Sequence, residues 1–159
     1  MTGSEVSTQS RDMKIIIFQL GGNEYALPVG RVRSIEKMQH ITRVPRTTSF
    51  VKGVLNLRGV IIPVIDLRAR LGLSEETPTD QTRIIIAQAE GLEVGLIVDA
   101  ANDVLDIDGA AIEPQPEVAG SIDETYIEGV AKKDKRLIIL LNLENILNPD
   151  ELALAERKG

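Results

Sequence analysis

The chain has 159 residues, of which 43% are hydrophobic and 3% aromatic, and it carries a formal net charge of −6. That acidic balance argues against a nucleic-acid ligand, because such ligands are bound mainly through lysine and arginine. Cysteine is absent, which excludes disulfides, thiol nucleophiles and zinc ribbons. There is no basic N-terminal segment followed by an apolar one, and no apolar run approaches the ~20 residues of a membrane helix. A soluble cytoplasmic protein is therefore expected, with no membrane insertion.

The N-terminal part of the chain alternates between polar segments and short apolar runs. Residues 1–12 are polar and predict a disordered lead-in. Strands are predicted over residues 14–20 and 24–29, because both runs are rich in β-branched and aromatic side chains. Glycines in residues 21–23 supply the turn between them.

The next segment predicts a short helix over residues 31–38, where Val32, Ile35 and Met38 recur at a spacing of three. An extended piece follows over residues 41–44. The three apolar side chains either pack into the protein's own core or line a groove for a partner, and the sequence leaves both interpretations open.

The densest apolar block of the chain predicts a β-hairpin over residues 53–65. Its turn contains Arg58, a charge that contributes nothing to a core. Asp66 stands at an N-cap position before a helical turn over residues 67–71, which Gly72 ends.

This block occurs a second time. Gly129 follows Gly53 by 76 residues, and Asn142 follows Asp66 by the same number without a gap. The scaffold is duplicated, but the turn is not, since Asp134 stands where the first copy has Arg58. That difference is the first indication of a functional position.

The opening strands are repeated as well, at an offset of 69 residues. Residues 83–88 match residues 14–19, and Glu93 matches Glu24. The two offsets differ by seven residues, which we assign to an insertion within the loop over residues 109–123.

Each copy therefore predicts about five short strands and one capped helical turn, which is typical of a small β-barrel or curled sheet. The polar link over residues 74–81 separates a first subdomain, residues 13–80, from a second, residues 81–148. Whether the first strand stays in its own half or exchanges with the other is left open. Residues 149–159 form either a short helix or a frayed tail.

Catalytic and metal-binding signals are weak. His40 is the single histidine and lies in a polar connection, which indicates a solvated loop residue. Glu24 and Glu93 are conceivable as paired carboxylates of a hydrolase or transferase, but a solvent-facing carboxylate on a strand is ordinary. Four aspartates lack the spacing of a calcium loop and indicate a solvated acidic face: Asp99, Asp103, Asp106 and Asp108. No cofactor or metal is expected.

The order FQLGGNEYALPV, followed by RVPRTTSFVKGVLNLRGVIIPVIDLRARLG, resembles the CheW-like domain of bacterial chemotaxis coupling proteins. The similarity covers residues 13–148 and is strongest over residues 51–71. It implies a mainly β fold of two SH3-like five-stranded barrels and a non-catalytic adaptor. No receiver or kinase domain fits in the chain, which favours a stand-alone adaptor.

The resemblance also implies partners and a site. The partners are the cytoplasmic tips of methyl-accepting chemotaxis receptors and the regulatory domain of the chemotaxis histidine kinase CheA. The family's receptor-binding arginine falls on Arg58, its nearby glycine on Gly53, and its apolar groove residues on Val32 and Ile35. The rest of the receptor-binding hairpin motif falls on Asn56, Leu57 and Gly59. No residue is assigned to the kinase.

The residues are compatible with two other functions. A small-ligand-binding β-barrel is the main alternative, although ligand pockets favour aromatic linings and the chain has few aromatics. An enzyme is the weakest hypothesis. For Arg58 alone, the competing interpretation is a solvated turn charge that contributes ~0–1 kcal/mol.

Overall fold

The structure, a computed structural model, describes residues 12–45, 50–74, 76–89, 91–114 and 123–147. Within these ranges the elements are strands β1 to β11, two four-residue α-helices and three turns of 3-10 helix. Strands β1 to β5 are Asp12–Leu20, Asn23–Pro28, Val32–Lys37, Val51–Leu57 and Val60–Asp66, and strands β6 to β11 are Arg83–Ala89, Leu92–Val98, Ala100–Asp108, Ile112–Glu113, Ile127–Lys133 and Arg136–Leu141. Helix α1 is Leu67–Arg70 and helix α2 is Leu143–Ile146. The 3-10 turns are Val29–Arg31, Gly109–Ala111 and Glu124–Tyr126.

Two predictions concern the ends of the chain. The lead-in over residues 1–11 and the tail over residues 149–159 lie outside the described residues, and so does most of the predicted insertion. Asp12, the last residue of the predicted lead-in, is instead the first residue of β1. None of the helices in the described ranges is long and apolar enough to cross a membrane.

The strands form two sheets, which confirms the predicted mainly β class. One sheet has six strands in the order β8-β1-β2-β11-β10-β9, and the other has five in the order β3-β6-β7-β5-β4. The sixth strand is the two-residue β9, which pairs with β10. In the five-stranded sheet its counterpart is a single bridge between Thr42 and Val54. Closure of the sheets into SH3-like barrels stays a prediction.

Each sheet combines strands from both copies of the repeat. β1 and β2 pair with β8 and β11, while β6 and β7 pair with β3 and β5. The exchange that the sequence left open therefore involves the first two strands of each copy. The predicted subdomain boundary between residues 80 and 81 separates the two copies of the repeat, but each sheet contains strands from both sides of this boundary.

The exchanged pairings have the same register. Ile35 pairs with Ile85 in the β3–β6 ladder, and Val104 pairs with Ile16 in the β8–β1 ladder. Both members of the second pair are displaced from their equivalents by 69 residues, the offset seen in the sequence. The duplication is therefore preserved in three dimensions, and each surface feature of one half has a defined equivalent in the other.

The predicted helix over residues 31–38 is wrong, because Val32–Lys37 form strand β3. A bulge after Val32 inserts one extra residue into this strand. Side chains alternate between the two faces of a regular strand, so the extra residue places Val32 and Ile35 on the same face. The spacing of three that imitated a helix is produced by this bulge.

The predicted hairpin and both helix caps are confirmed. β4 and β5 pair as an antiparallel hairpin. The Asp66 side chain accepts a hydrogen bond from the backbone N–H of Arg68, and the Asn142 side chain accepts one from Asn145. Each cap satisfies a backbone donor that the first helical turn leaves unpaired, which ends the strand and starts the helix.

The largest apolar cluster lies between the sheets and draws on both. Phe18 and Tyr25 of the six-stranded sheet stack with ring centroids 6.2 Å apart, and Ile85 and Leu96 of the five-stranded sheet join the same cluster. Each sheet also has a smaller cluster of its own. Two small halves thus share one core, which compensates for the limited surface that each can bury alone.

Gly53 lies where the hairpin approaches a neighbouring chain segment. Its φ is +147°, and a Cβ at this position would overlap the main-chain carbonyl of Thr42. Gly129 occupies the equivalent place, and a Cβ there would overlap the side chain of Ile112. The close approach of a neighbouring segment therefore favours glycine in both halves, through backbone at Gly53 and mainly through a side chain at Gly129. The space beside Gly53 is filled by the protein's own Thr42.

Candidate partner-binding site

The end of the first hairpin is a two-residue turn formed by Arg58 and Gly59. Their φ values are +53° and +87°, the pattern of a type I′ turn, whose twist matches that of the strands. The side-chain oxygen of Asn56 accepts a hydrogen bond of 3.0 Å from the Gly59 N–H. The local sequence Asn-Leu-Arg-Gly therefore fixes the turn and projects Arg58 from its first central position.

Arg58 occupies a backbone conformation that arginine seldom adopts. Positive φ is favourable for Gly, Asn and Asp and costs other residues free energy. The equivalent residue of the second hairpin, Asp134, has a φ of +56° and suits the conformation. An unfavourable residue in an exposed turn points to a functional role.

The Arg58 side chain is 72% exposed and touches strand β3. Its Nη2 atom lies 3.5 Å from Oε2 of Glu36, whose side chain is only 17% exposed. This contact brings the hairpin end beside the strand that carries Ile35. One distal contact leaves most of the five guanidinium donors available to a partner.

Large apolar side chains are exposed around this contact. Val60 and Ile61 directly follow the turn and are 54% and 58% exposed, and Ile35, beside Glu36, is 42% exposed. We call these three residues and Arg58 the first docking face, because they belong to the hairpin end and to the strand that Arg58 contacts. Large exposed apolar residues in one region of a surface are typical of protein interaction sites.

The second half carries an equivalent surface. Val104 and Leu137 are exposed, and they are the repeat equivalents of Ile35 and Ile61. Their chain neighbours Asp103 and Arg136 form an ion pair of 3.3 Å. We call Val104 and Leu137, with this ion pair, the second docking face. It belongs to the six-stranded sheet, whereas the first docking face belongs to the five-stranded sheet.

The structure brings most of the predicted receptor-binding residues to the hairpin end. Arg58 and Gly59 are exposed at the turn, and Ile35 lies on the neighbouring strand. The others on the hairpin are the exposed Asn56 and the half-buried Leu57, which packs against the five-stranded sheet's own cluster.

Two predicted site residues, Val32 and Gly53, lie elsewhere. Val32 is half-buried and packs against the cluster between the sheets, so the core interpretation of its side chain applies. The same interpretation applies to Met38 of the predicted helix, which packs against the cluster of the five-stranded sheet. Gly53 is buried beside Thr42. A receptor-binding role for Val32 and Gly53 stays a prediction, and any such role acts through the fold around them.

Sequence reasoning missed Glu36, Val60 and Ile61. The repeat contained a signal for Glu36, because an offset of 69 aligns it with the apolar Leu105. The sequence places Val60 and Ile61 in the apolar strand of the hairpin, as the structure does. Their exposure follows from their position at the end of β5, before the residues from Val64 onward that pair with β7.

The residues weighed for catalysis have structural partners. Glu24 accepts two hydrogen bonds from Arg136, of 3.0 and 2.8 Å, and these lower the pKa of its carboxyl group. Glu93 pairs with Arg33 at 3.2 Å. The two glutamates belong to different sheets, and each carboxylate is paired with an arginine. A general acid requires a raised pKa, the opposite of the shift at Glu24.

The remaining histidine and carboxylates are accounted for as well. His40 is exposed, as predicted for a loop residue. In the described part of the chain, no group of three or more histidine or carboxylate side chains is placed to hold a metal ion. Asp106 pairs with Lys14, and Asp108 caps a 3-10 turn.

Asp99 departs from the predicted solvated acidic face. It forms a bidentate pair with Arg68 of α1, at 2.8 and 2.6 Å, and accepts a hydrogen bond of 2.9 Å from the Gly21 N–H. Gly21 belongs to the six-stranded sheet's first turn, so the pair joins the two sheets. Arg68 is the main cause of the lowered pKa of Asp99.

This pair predicts a loss of stability in acid. A carboxyl group with a lowered pKa in the folded state contributes stability above its unfolded pKa, near 3.8 for Asp99, and that contribution is lost as the pH falls through the lower folded value. We expect Arg68→Gln to lower the unfolding free energy at pH 7 by about 1–2 kcal/mol. The melting temperature of this variant should also fall less steeply between pH 5 and about pH 2 than that of the wild type. Identical acid profiles for the two proteins would contradict this assignment.

A second arginine joins the two helices. The Arg70 guanidinium lies 4.4 Å from the ring centroid of Phe50 and 5.1 Å from that of Tyr126. It also donates hydrogen bonds to the main-chain carbonyls of Asn145 and Ile146 at the end of α2. The relative position of the two halves is therefore fixed by polar contacts as well as by the shared core.

Two cavities bear on the small-ligand alternative. One has a volume of about 260 Å³, below the roughly 300–1,000 Å³ of ordinary ligand sites, and its charged residues Arg68 and Asp99 are already paired with each other. The other has a volume of about 440 Å³, within that range, but its charged residues Arg31 and Glu144 are also paired with each other. The exposed surfaces are better suited to docking proteins, and a partner-binding β protein is the class that they define.

Comparisons with known proteins agree with this class. The family model of the CheW-like domain matches residues 14–151. The chemotaxis protein CheW of Bacillus subtilis is 45% identical over 137 residues, which cover 86% of this chain and 88% of the relative. That of Klebsiella aerogenes is 34% identical over 155 residues, which cover 98% and 93%.

A solved structure shares the fold. The crystal structure of the scaffolding protein TtCheW from Thermoanaerobacter tengcongensis matches with a TM-score of 0.81 and 40% identity, covering 89% of this chain and 92% of that one. The chain belongs to the CheW-like family. The sequence resemblance is thereby confirmed.

Proposed function

We propose that this protein is a non-catalytic chemotaxis adaptor that couples methyl-accepting chemotaxis receptors to the histidine kinase CheA. Its relatives are named chemotaxis proteins, and a protein of the same fold is described as a scaffold. The observation that carries the proposal is Arg58, held in an unfavourable turn conformation and exposed among apolar side chains. In this role the protein is located in the cytoplasm, at receptor arrays.

The first docking face is the proposed receptor-binding site. A receptor tip is helical, and a helix binds to such a surface through a few apolar anchors and peripheral polar contacts. Ile35 and Ile61 supply the apolar contacts, and Arg58 supplies directed hydrogen bonds. Arginine is among the residues most often found to dominate the binding energy of an interface.

The second docking face is the proposed kinase-binding site. An adaptor must hold two partners at once, which requires surfaces that do not overlap. The duplicated fold provides these, because Val104 and Leu137 lie on the other sheet at positions equivalent to Ile35 and Ile61. The second face lacks an arginine in its turn, so the two faces also differ in chemistry.

The proposal predicts that binding of one partner can be weakened by a substitution that leaves binding of the other unchanged. We expect Leu137→Glu to weaken binding of the CheA regulatory domain by about tenfold or more, since a charge would be buried at the interface. The matched variant on the first face, Ile61→Glu, should weaken binding of a receptor cytoplasmic fragment instead. Both side chains are exposed, so both variants should melt like the wild type.

These variants are tested by titrating each labelled partner into the purified protein. Loss of one partner per variant supports the proposal. Full kinase binding by the Leu137 variant would contradict the assignment of the second face. Failure of the wild-type protein to bind either partner would overturn the proposed function itself.

A further inference from the structure

Two cations face each other at the end of strand β3. Lys37 and Arg83 are directly paired in the β3–β6 ladder. Residues paired across antiparallel strands place their side chains on the same face, where like charges repel each other and destabilise the sheet. Within the residues that the structure describes, neither Lys37 nor Arg83 forms an ion pair with a carboxylate. The protein alone therefore leaves these two positive charges side by side and uncompensated.

The second half shows another arrangement at the same place in the fold. The repeat relates Lys37 to Asp106 and Arg83 to Lys14, both at the offset of 69 residues. Lys14 and Asp106 are likewise paired across their ladder, and they form an ion pair of 3.3 Å. The scaffold thus accepts opposite charges at this position, so the like charges of the first half are not a requirement of the fold.

The Arg83 guanidinium is held in place by the turn before β6. Its Nη1 atom donates hydrogen bonds of 2.8 Å to the main-chain carbonyls of Asp80 and Thr82. The Thr82 hydroxyl accepts a hydrogen bond of 2.8 Å from the Thr79 N–H, which fixes this turn. The other two nitrogens of the group, Nε and Nη2, make no hydrogen bond to any described part of the chain. Arg83 is therefore anchored at one nitrogen and presents the opposite edge to its surroundings.

Two other arginines show what this edge binds. Arg68 uses Nε and Nη2 to hold the Asp99 carboxylate, at 2.8 and 2.6 Å. Arg136 uses the same two nitrogens to hold Glu24, at 3.0 and 2.8 Å. The planar fork of donors matches the two oxygens of a carboxylate, which is why such pairs are bidentate. For Arg83, the described residues supply no such carboxylate.

The two cations adjoin the first docking face. Lys37 is exposed and lies two residues after Ile35 on β3, so both side chains are on the same face of the strand. Strand β3 is also an edge strand of the five-stranded sheet. A partner that covers Ile35 therefore brings its neighbouring side chains to Lys37 and Arg83.

We propose that Lys37 and Arg83 form a carboxylate-binding clamp, which accepts an aspartate or glutamate side chain of the receptor tip bound to the first docking face. This inference rests on the proposed receptor-binding function of that face. The carboxylate pairs with the Nε and Nη2 donors of Arg83 and with the Lys37 ammonium, and it removes the repulsion between the two cations. Because Arg83 is already anchored, little side-chain freedom is lost on binding. The partner surface that fits combines an apolar patch with an acidic residue beside it.

The decisive variant is Lys37→Asp, which copies the charge arrangement of the second half. The new carboxylate pairs with Arg83, so we expect a melting temperature equal to or above that of the wild type. Binding of a labelled receptor cytoplasmic fragment should nevertheless weaken by about tenfold or more, because the variant occupies Arg83 and repels the partner's carboxylate. Lys37→Gln, which adds no charge, should weaken binding less. A residue with a merely structural role would not show higher stability together with lower affinity.

The second half supplies the matched control. Asp106→Lys creates the like-charge arrangement there, so it should lower the melting temperature and leave receptor affinity unchanged. The titrations are repeated at low and high salt, since salt screens exposed charges. Receptor affinity of the wild type should fall more steeply with salt than that of Lys37→Asp.

Three results would overturn the inference alone: wild-type receptor affinity of the Lys37→Asp protein, equal salt dependence of the two proteins, or a loss of the CheA regulatory domain in place of the receptor fragment. A wild-type protein that does not bind the receptor fragment would overturn the proposed function and this inference with it.

Discussion

Replacing Arg58 by asparagine is expected to abolish most receptor binding while leaving the fold intact. Asparagine adopts positive φ readily, so the turn keeps its geometry and the backbone strain of arginine is relieved. The weak exposed contact with Glu36 is lost, and the two effects roughly cancel, within ~1 kcal/mol of stability. An arginine at the centre of an interface typically contributes ~2 kcal/mol or more, which corresponds to at least about 30-fold in affinity.

The chain supplies its own control for this experiment. Asp134 has the same turn position and a φ within a few degrees of that of Arg58, but it lies on the other hairpin. Asp134→Asn should therefore change neither the melting temperature nor receptor affinity. Both variants are compared with the wild type by calorimetry and by titration of the receptor fragment. If the Arg58 variant binds normally, its exposed charge is an ordinary surface residue.

Gly53→Ala is expected to be the most destabilising single change at the hairpin. The new methyl group would overlap the main-chain carbonyl of Thr42, and backbone cannot move aside as a flexible side chain can. The positive φ adds strain. Together these should lower the unfolding free energy by roughly 2–4 kcal/mol, or about 5–15 °C in melting temperature.

Two other glycines complete a graded series. At Gly129 the overlap is mainly with the Ile112 side chain, so alanine should cost less than at Gly53. At Gly30 a Cβ meets nothing within 4 Å and φ is ordinary, so alanine should be neutral. Thermal melts of the three variants check this order. A Gly53→Ala protein that melts like the wild type would show that Thr42 yields readily, and any binding defect would then belong to the interface.

The local elements were predictable because their causes are local. The turn residues Arg58 and Gly59 and the caps Asp66 and Asn142 all act through neighbours a few residues away. The duplication was also readable, because two constant offsets relate residues that have the same structural task. From these features the sequence predicts the end of the first hairpin, where the candidate site lies.

The exchange of strands between the halves was not predictable in the same way. The repeat gives β1 and β6 the same pattern, so either could pair with β3 without changing which side chains are buried. When two strands fit a neighbour equally well, the packing of the whole fold and the connections between strands decide which of them pairs with it. The repeat therefore suggested two consecutive halves, whereas the sheets interleave them.

Strand β3 misled the sequence analysis for a second reason. A single bulge placed Val32 and Ile35 on one face at a spacing that also fits a helix. The helix assignment obscured the alternation in which Glu36 faces inward. Its contact with Arg58 joins residues 22 apart, and this proximity depends on how the hairpin meets β3.

The most direct test of the account is whether the protein holds both partners in one complex. The wild-type protein is mixed with a receptor cytoplasmic fragment and the CheA regulatory domain, and the complexes are separated by size-exclusion chromatography with light scattering. We expect a ternary complex with the wild type, and with Arg58→Asn a complex that retains the kinase domain but not the receptor. Partners that displace each other from the wild-type protein, or that fail to bind it, would contradict the adaptor function.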